Sequence, residues 1–148
     1  MLNIRKFFGL KPKTVIGRLE IVNITNLDLY NITAKVDTGA YRGTIHAENI
    51  KEIENSDGEK VLEFAILDDS HPEFQNKVHR INKYSTAQVR SSQTNYEDRY
   101  IIPVNLEIGG RKIKTELSLS NRKELRHPIL IGRKALRNKF LVDVNKTV

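Results

Sequence analysis

The tripeptide Asp37-Thr38-Gly39 is the part of this chain whose residue types and spacing could do chemistry. It follows the apolar run Ile32 to Val36 and precedes Ala40, so a carboxylate stands where a strand is expected to end in a tight loop. An ionised carboxylate there can activate water for attack on an amide, while a second, protonated carboxyl stabilises the developing oxyanion. Two carboxyls about 3 Å apart meet both demands, because like-charge repulsion holds one proton between them.

The tripeptide occurs once in 148 residues. This chemistry needs two carboxylates, so the sequence predicts either a homodimer with one Asp37 per subunit or no such enzyme. Thr38 is expected to hold the loop through its hydroxyl, and Gly39 to permit a close approach of two backbones. The alternative is an ordinary strand-to-turn ending, because Asp, Thr and Gly all favour turns.

Composition and charge limit the function classes. The hydrophobic content of 39% suffices for one core, so we expect one domain. The absence of cysteine excludes disulfides, thiol catalysis and cysteine-based zinc sites. The net charge of +7 divides into +5 over residues 1–18, −6 over 19–110 and +8 over 111–148. The bases alternate with strand residues and no aromatic stacking pattern accompanies them, so no nucleic-acid partner is predicted.

The N-terminus and the hydropathy pattern bear on location. Residues 1–14 are predicted to form a basic arm outside a domain that spans residues 15–148. The chain has no run of about 18 apolar residues, and its N-terminal apolar stretch is too short for a signal peptide. We therefore expect a cytoplasmic protein without a membrane partner.

Short runs rich in Val, Ile, Leu and Thr, separated by polar or glycine-containing turns, predict a mainly β chain. Gly109-Gly110 and Ser56-Asp57-Gly58 mark tight turns. One short helix is expected over Arg133 to Lys139. Strands at this spacing are typical of a closed or partly closed β-barrel. The predicted strands are Val15–Val22, Leu29–Val36, Val61–Leu67, Arg99–Leu106 and Lys112–Leu119.

A second apolar segment, Pro128 to Arg133, closes on Gly132 about 90 residues after Asp37. With this pairing the chain resembles the retropepsin-like proteins of bacteria and archaea often labelled "ATP-dependent zinc proteases". The resemblance runs from about Val15 to Asn145. The motifs that carry it are Val36-Asp37-Thr38-Gly39-Ala40, His46-Ala47, Val89-Arg90-Ser91-Ser92, Ile108-Gly109-Gly110-Arg111, Leu130-Ile131-Gly132-Arg133-Lys134-Ala135-Leu136 and Phe140-Leu141-Val142-Asp143.

The resemblance implies a retropepsin-like closed β-barrel that dimerises to assemble one active site from two copies of catalytic Asp37. Thr38, Gly39 and Ala40 would support the catalytic loop, and a segment beneath it would comprise Leu130, Ile131, Gly132 and Arg133. Arg90, Ser91 and Ser92 would belong to a flap that contacts a peptide or protein substrate. Similar proteins are associated with glutamate-ligase systems, so acidic or glutamate-modified substrates are a further expectation.

The words "ATP-dependent" and "zinc" in that label have little support in the residues. The chain has no phosphate-binding loop for ATP, and no cofactor is predicted. His46, His71, His79 and His127 form no closely spaced pair, so no metal site is predicted, although a zinc-dependent peptidase stays a lesser alternative. Asp68-Asp69 is expected to be a pair of solvated loop charges. The main alternative to an aspartic endopeptidase is a barrel that binds peptides or proteins without cleaving them.

Overall fold

A computed structural model describes residues 12–90, 92–123 and 125–148. Within these ranges the chain forms eleven strands, a single 3-10 turn at Thr25–Leu27 and one four-residue helix, α1, at Arg133–Leu136. The strands are β1 Thr14–Ile16, β2 Leu19–Ile24, β3 Leu29–Val36, β4 Gly43–Glu54, β5 Lys60–Ile66, β6 Val78–Ile81, β7 Ser85–Arg90, β8 Tyr96–Ile108, β9 Arg111–Ser120, β10 Ile129–Ile131 and β11 Phe140–Val142. The prediction of a mainly β chain with a short C-terminal helix is confirmed.

Nine of these strands form one sheet in the order β10-β3-β2-β8-β9-β4-β5-β6, with β7 paired to β8. The short strand β10 also pairs with β4, so the pairings run in a cycle from β10 through β3, β2, β8, β9 and β4 back to β10. β1 and β11 form a separate parallel pair. The site described below lies where β10 joins β3 and β4.

The long hairpin of β8 and β9 is the largest regular unit of the sheet. Its turn is Gly109-Gly110, with φ of 57° and 75°, a left-handed backbone that glycine adopts without strain. The predicted turn is thus confirmed. Ile101, Ile102, Val104, Leu106 and Ile108 of β8 are buried against the core, and each such side chain contributes about 1.5–3 kcal/mol on burial.

Strand β4 differs most from the sequence-based expectation, which ended a strand at His46 and included no strand over the residues that follow. It runs for twelve residues, but a register shift between Glu48 and Lys51 surrounds Asn49, whose φ is 54°. A bulge changes which side chains face the core, so the alternation of polar and apolar residues breaks along the strand. Its first five residues are buried, whereas its second half is mostly exposed.

Strand β1 is the first regular element of the described residues. Thr14 pairs with Phe140 of β11, and Arg111 donates hydrogen bonds to Thr14 Oγ1 (2.9 Å) and to the carbonyl oxygen of Pro12 (2.5 Å). Most of the predicted basic arm, residues 1–11, lies outside the described residues. In the part of the chain that the structure describes, no helix could span a membrane.

Candidate functional site

Asp37 begins the loop that follows β3. Its backbone N–H donates to the carbonyl oxygen of Ile131 at 2.9 Å, and its carboxylate Oδ1 accepts the N–H of Gly39 at 3.0 Å. The N–H of Ala40 closes the turn on the carbonyl oxygen of Asp37 at 3.3 Å. Asp37 is half-buried, while Thr38 and Gly39 are exposed. The backbone thus presents one ordered carboxylate at the protein surface.

Strand β10 lies between the two strands that flank this loop. Ile131 pairs in parallel with Val36 at the end of β3, and Leu130 pairs antiparallel with Thr44 near the start of β4. Ile131 is fully buried and Leu130 partly buried. The structure therefore brings together the Asp37 loop and the apolar segment that the sequence separates by about 90 residues.

Gly132 and Arg133 contact the loop directly. A Cβ on Gly132 would lie 2.7 Å from the carbonyl carbon of Arg42 and 2.8 Å from the carbonyl oxygen of Tyr41, so only glycine permits this approach. The N–H of Arg133 donates to the carbonyl oxygen of Ala40 at 2.8 Å, and Nη1 donates to that of Thr38 at 3.0 Å. These two bonds tie the loop to the start of α1.

The exposed side of the loop presents groups without a partner in the described part of the chain. Among the described residues, the hydroxyl of Thr38 makes no hydrogen bond, and no second carboxylate is bonded to Asp37. A Cβ on Gly39 would approach only Asp37 Oδ1, at 3.3 Å. A dyad at this position therefore requires a carboxylate from elsewhere.

The predicted flap region forms a hairpin of β7 and β8, paired from Ser85 with Ile101 to Arg90 with Tyr96. Arg90 donates to the carbonyl oxygens of Ser92 (3.2 Å, from Nε) and Gln93 (2.9 Å, from Nη2). Ser91 lies outside the described residues. Arg90 and Ser92 thus order the hairpin tip.

A cleft of about 470 Å³ separates this hairpin from the Asp37 loop. Four arginines line it: Arg42, Arg90, Arg99 and Arg122. Arg42 Nε is 3.0 Å from Glu116, and Arg99 Nη2 is 3.1 Å from Glu97. The other lining residues are Gly39, Ala40, Tyr41, Thr44, Gln88, Val89, Ser118 and Leu130.

Arg90 and Arg122 form no ion pair with any carboxylate of the described residues. Arg122 Nε donates to the carbonyl oxygen of His127 at 3.1 Å. Burial lowers the pKa of Arg122, as does the neighbouring charge of Arg99, whereas the negative charge of Asp37 opposes both. Because an arginine stays protonated despite such a shift, Arg122 keeps its positive charge near Asp37 without an ion pair to any described carboxylate.

Two residues that the sequence analysis did not place in a site, His46 and Asp68, meet in the interior. The expectation of solvated loop charges is wrong for Asp68, which is 3% exposed, although Asp69 is exposed. His46 Nε2 lies 2.9 Å from Asp68 Oδ2 and 3.3 Å from Glu48 Oε1. Neither Nε2 nor Oδ2 makes a hydrogen bond of regular geometry. The residues lie 22 positions apart, His46 on β4 and Asp68 just after β5, so no local pattern signals their contact.

His46, Glu48 and Asp68 could hold a metal by distance alone, since one ligand atom from each lies within 4.8 Å of the others. The protonation of the imidazole argues against this. Nδ1 of His46 accepts the backbone N–H of Arg122 at 2.7 Å, and a backbone N–H can only donate. A neutral imidazole then carries its proton on Nε2, which leaves no lone pair there for a metal. The arrangement does not fit a zinc site.

Comparison with known proteins places this geometry in context. Residues 15–148 match the sequence profile of a family described as "RimB-like: Retropepsin-like aspartic endopeptidase RimB". The chain is 33% identical over 140 residues to a "Probable alpha-L-glutamate ligase" of Shewanella halifaxensis, which covers 91% of the chain and 29% of that relative. A relative of the same name from Desulfotalea psychrophila is 29% identical over 141 residues, covering 88% of the chain and 28% of the relative. The chain thus spans less than a third of these relatives.

A solved structure is also similar. The crystal structure of a protein of unknown function from Legionella pneumophila subsp. pneumophila str. Philadelphia 1 superposes with a TM-score of 0.70 at 26% sequence identity. The match covers 92% of this chain and 97% of that one.

Proposed function

Because this chain belongs to the RimB-like family of retropepsin-like aspartic endopeptidases, we propose that it hydrolyses peptide bonds with water activated between two copies of Asp37. The observation that carries the proposal is the arrangement of the loop. β10 lies between β3 and β4, and the hydrogen bond from Asp37 to Ile131 fixes the point at which the carboxylate leaves the sheet.

In the proposed reaction the two Asp37 carboxyls share one proton. The ionised carboxylate takes a proton from water as the oxygen attacks the peptide carbonyl, and the protonated one donates to the carbonyl oxygen. The C–N bond of the resulting tetrahedral intermediate breaks as the carboxyl that took the water proton passes it to the leaving amine. The other carboxylate takes a hydroxyl proton of the intermediate, so the pair again holds one proton. The two apparent pKa values belong to the pair, not to either subunit.

A homodimer is part of this proposal. The single Asp37, the exposed Thr38-Gly39 backbone and the unpartnered Thr38 hydroxyl support it. Tyr41, 46% exposed and next to the loop, offers apolar area for the same contact. Dimerisation would place the second carboxylate opposite the first and exclude bulk water from both.

A closed β-barrel is also part of this proposal. We infer that the cycle of pairings from β10 through β3, β2, β8, β9 and β4 closes a barrel. The pairing of β10 with both β3 and β4 supports closure, since a closed sheet leaves none of these six strands as an edge.

The proposed substrate class is acidic, glutamate-rich peptides. Arg90 and Arg122 line the cleft next to the Asp37 loop and have no ion pair with a carboxylate of the described residues, and planar guanidinium groups bind carboxylates well. The name of the relatives, glutamate ligase, points in the same direction. A peptidase with this cleft would remove or trim what such a ligase adds.

The test is a cleavage assay of purified protein against matched glutamate-rich and glutamine-rich peptides over a range of pH. The Asp37→Asn variant, which keeps the side-chain shape, should lose cleavage at least about a thousandfold while its circular dichroism and its mass in solution stay unchanged. Undiminished cleavage by the variant would contradict the mechanism. Peptide binding without any product from the wild type would favour the non-catalytic alternative.

A further inference from the structure

The buried pair of His46 and Asp68 takes no part in the proposed reaction. His46 is fully buried and Asp68 is 3% exposed. Desolvation makes buried ionisable groups costly unless neighbouring groups compensate them. His46 lies in β4, four residues beyond Arg42 of the cleft wall, and Asp68 lies just after β5. A buried pair with this desolvation cost, close to the cleft, is a candidate for a functional role.

Asp68 is held in its ionised form. Its Oδ1 accepts the N–H of Ser70 at 2.8 Å and also the hydroxyl of Ser70. These hydrogen bonds lower the pKa of Asp68, and the neighbouring imidazoles of His71 and His46 add to the effect, against burial. The other oxygen, Oδ2, lies 2.9 Å from Nε2 of His46, although the contact lacks regular hydrogen-bond geometry. The negative charge of Asp68 therefore lies next to Nε2.

The other ring nitrogen of His46, Nδ1, is linked to the cleft by a hydrogen bond from the backbone. Nδ1 of His46 accepts the N–H of Arg122, two residues beyond the end of β9, at 2.7 Å. Asp68 favours the tautomer with the proton on Nε2, and this is the tautomer that leaves Nδ1 free to accept. The carboxylate thus favours the tautomer that accepts at Nδ1, and the ring holds the backbone from which the Arg122 side chain extends.

We propose that His46, oriented by Asp68, is a positioning residue that holds Arg122 in the cleft beside Asp37, where the guanidinium binds a carboxylate of the acidic peptide. The peptide class rests on the proposed function, but the positioning does not require cleavage. His46 would act through Arg122 and would not touch the substrate.

The experiment measures binding without turnover, in an Asp37→Asn parent, by fluorescence anisotropy with labelled oligoglutamate and oligoglutamine peptides. Arg122→Gln and His46→Leu should each weaken oligoglutamate binding about tenfold, the loss of one hydrogen bond to a charged group. His46→Asn should stay within about threefold of the parent, because the asparagine oxygen can take the place of Nδ1 as acceptor. Oligoglutamine binding should not change in any variant.

The His46→Asn and His46→Leu variants both remove the Nε2 contact with Asp68, so their comparison separates positioning from packing. Lys114→Gln, an exposed lysine of β9, controls for the loss of one positive charge. Equal losses in the asparagine and leucine variants, an unaffected Arg122→Gln variant, or a parent that does not bind oligoglutamate would each overturn the proposal.

A second measurement is independent of ligand and of variant folding. Nitrogen-detected NMR of the wild-type imidazole should report the proton of His46 on Nε2 and an unprotonated Nδ1 at neutral pH. A proton on Nδ1 would overturn the positioning. If the binding order and the tautomer hold while the wild type cleaves no peptide, the proposed function fails and the positioning stands. If the wild type cleaves peptides but the variants do not bind oligoglutamate in the expected order, the positioning fails and the proposed function stands.

Discussion

The backbone N–H of Asp37 donates a 2.9 Å hydrogen bond to the carbonyl oxygen of Ile131. This bond continues the parallel pairing of β3 with β10, in which Val36 lies opposite Ile131. It places the carboxylate at the first residue beyond the paired strand, where the backbone is still held by the sheet. A rigid backbone at this point suits a catalytic group, because a small displacement of the carboxylate slows a reaction that depends on orientation.

Arg133 is predicted to support activity without supporting the fold. Arg133→Gln removes the Nη1 hydrogen bond to the Thr38 carbonyl from an exposed side chain, so kcat should fall about tenfold while the melting temperature changes little. Arg137→Gln, an exposed arginine one helical turn further on, is the matched control and should leave kcat unchanged. Equal kcat values for the two variants would show that the bond is dispensable.

Gly132→Ala should destabilise the protein. The added Cβ would meet backbone atoms of Tyr41, Arg42 and Gly43 at 2.7–2.8 Å, and a backbone has little room to shift. We expect a loss of about 2–4 kcal/mol in the free energy of unfolding, measured in urea. Gly58→Ala is the control, since nothing lies within 4 Å of its Cβ and only its positive φ of 78° costs about 1 kcal/mol. A smaller loss at Gly132 than at Gly58 would contradict the packing described here.

Thr38→Val tests the homodimer. The valine keeps the shape of the side chain but removes the exposed hydroxyl, which has no partner among the described residues of one chain. If that hydroxyl bonds across the interface, the dimer should weaken by about 1 kcal/mol, roughly fivefold in its dissociation constant by sedimentation. Thr33→Val, on β3, should leave the constant unchanged. A wild type that stays monomeric at high concentration would remove the basis for this prediction.

His79 is predicted to make stability depend on pH. Its ring stacks on Phe64 with centroids 5.5 Å apart, and burial, with Lys77 as a smaller cause, lowers its pKa below 6.5 against the opposing charge of Asp28. The unfolded chain therefore binds the proton more readily, so the free energy of unfolding should fall as the pH drops below 6.5.

The His79→Phe variant keeps the stacked ring but has no proton to bind, so its stability should fall less between about pH 7.5 and about pH 5.5. The comparison uses urea unfolding at both pH values. Burial also lowers the pKa of His127, but that residue is present in both proteins and its contribution cancels. An equal fall in the two proteins would exclude His79 as a source of the pH dependence.

Local patterns predicted some elements well and others poorly. β3 was predicted with its observed bounds, and the predicted strand Lys112–Leu119 differs from β9 by one residue at each end. The course of β4 beyond His46 was not predicted, because its bulge at Asn49 interrupts the alternation and its second half has little buried area. The strand is defined by its neighbours β9, β10 and β5 more than by its own residues.

The residues of the candidate site also divide into some that local patterns single out and others that they do not. A carboxylate, a hydroxyl and a glycine in succession were enough to single out Asp37, because that chemistry depends on residue types that follow one another. His46 and Asp68 could not be found in this way. Their significance comes from burial and from two contacts, to each other and to the Arg122 backbone, that unite three separate segments.

By itself, the sequence determined the identity of the strands with regular alternation, the position of the tight turns, and the two segments around Asp37 and Gly132. These depend on neighbours within a few residues, where backbone preference and side-chain period decide. Only the tertiary structure decided that β10 lies between β3 and β4, that Arg90 and Arg122 line the cleft without an ion pair to the described residues, and that Asp68 is buried against His46. Those outcomes follow from hydrogen bonding and desolvation between segments distant in the chain, such as Thr38 and Arg133, 95 residues apart, and local periodicity does not encode them.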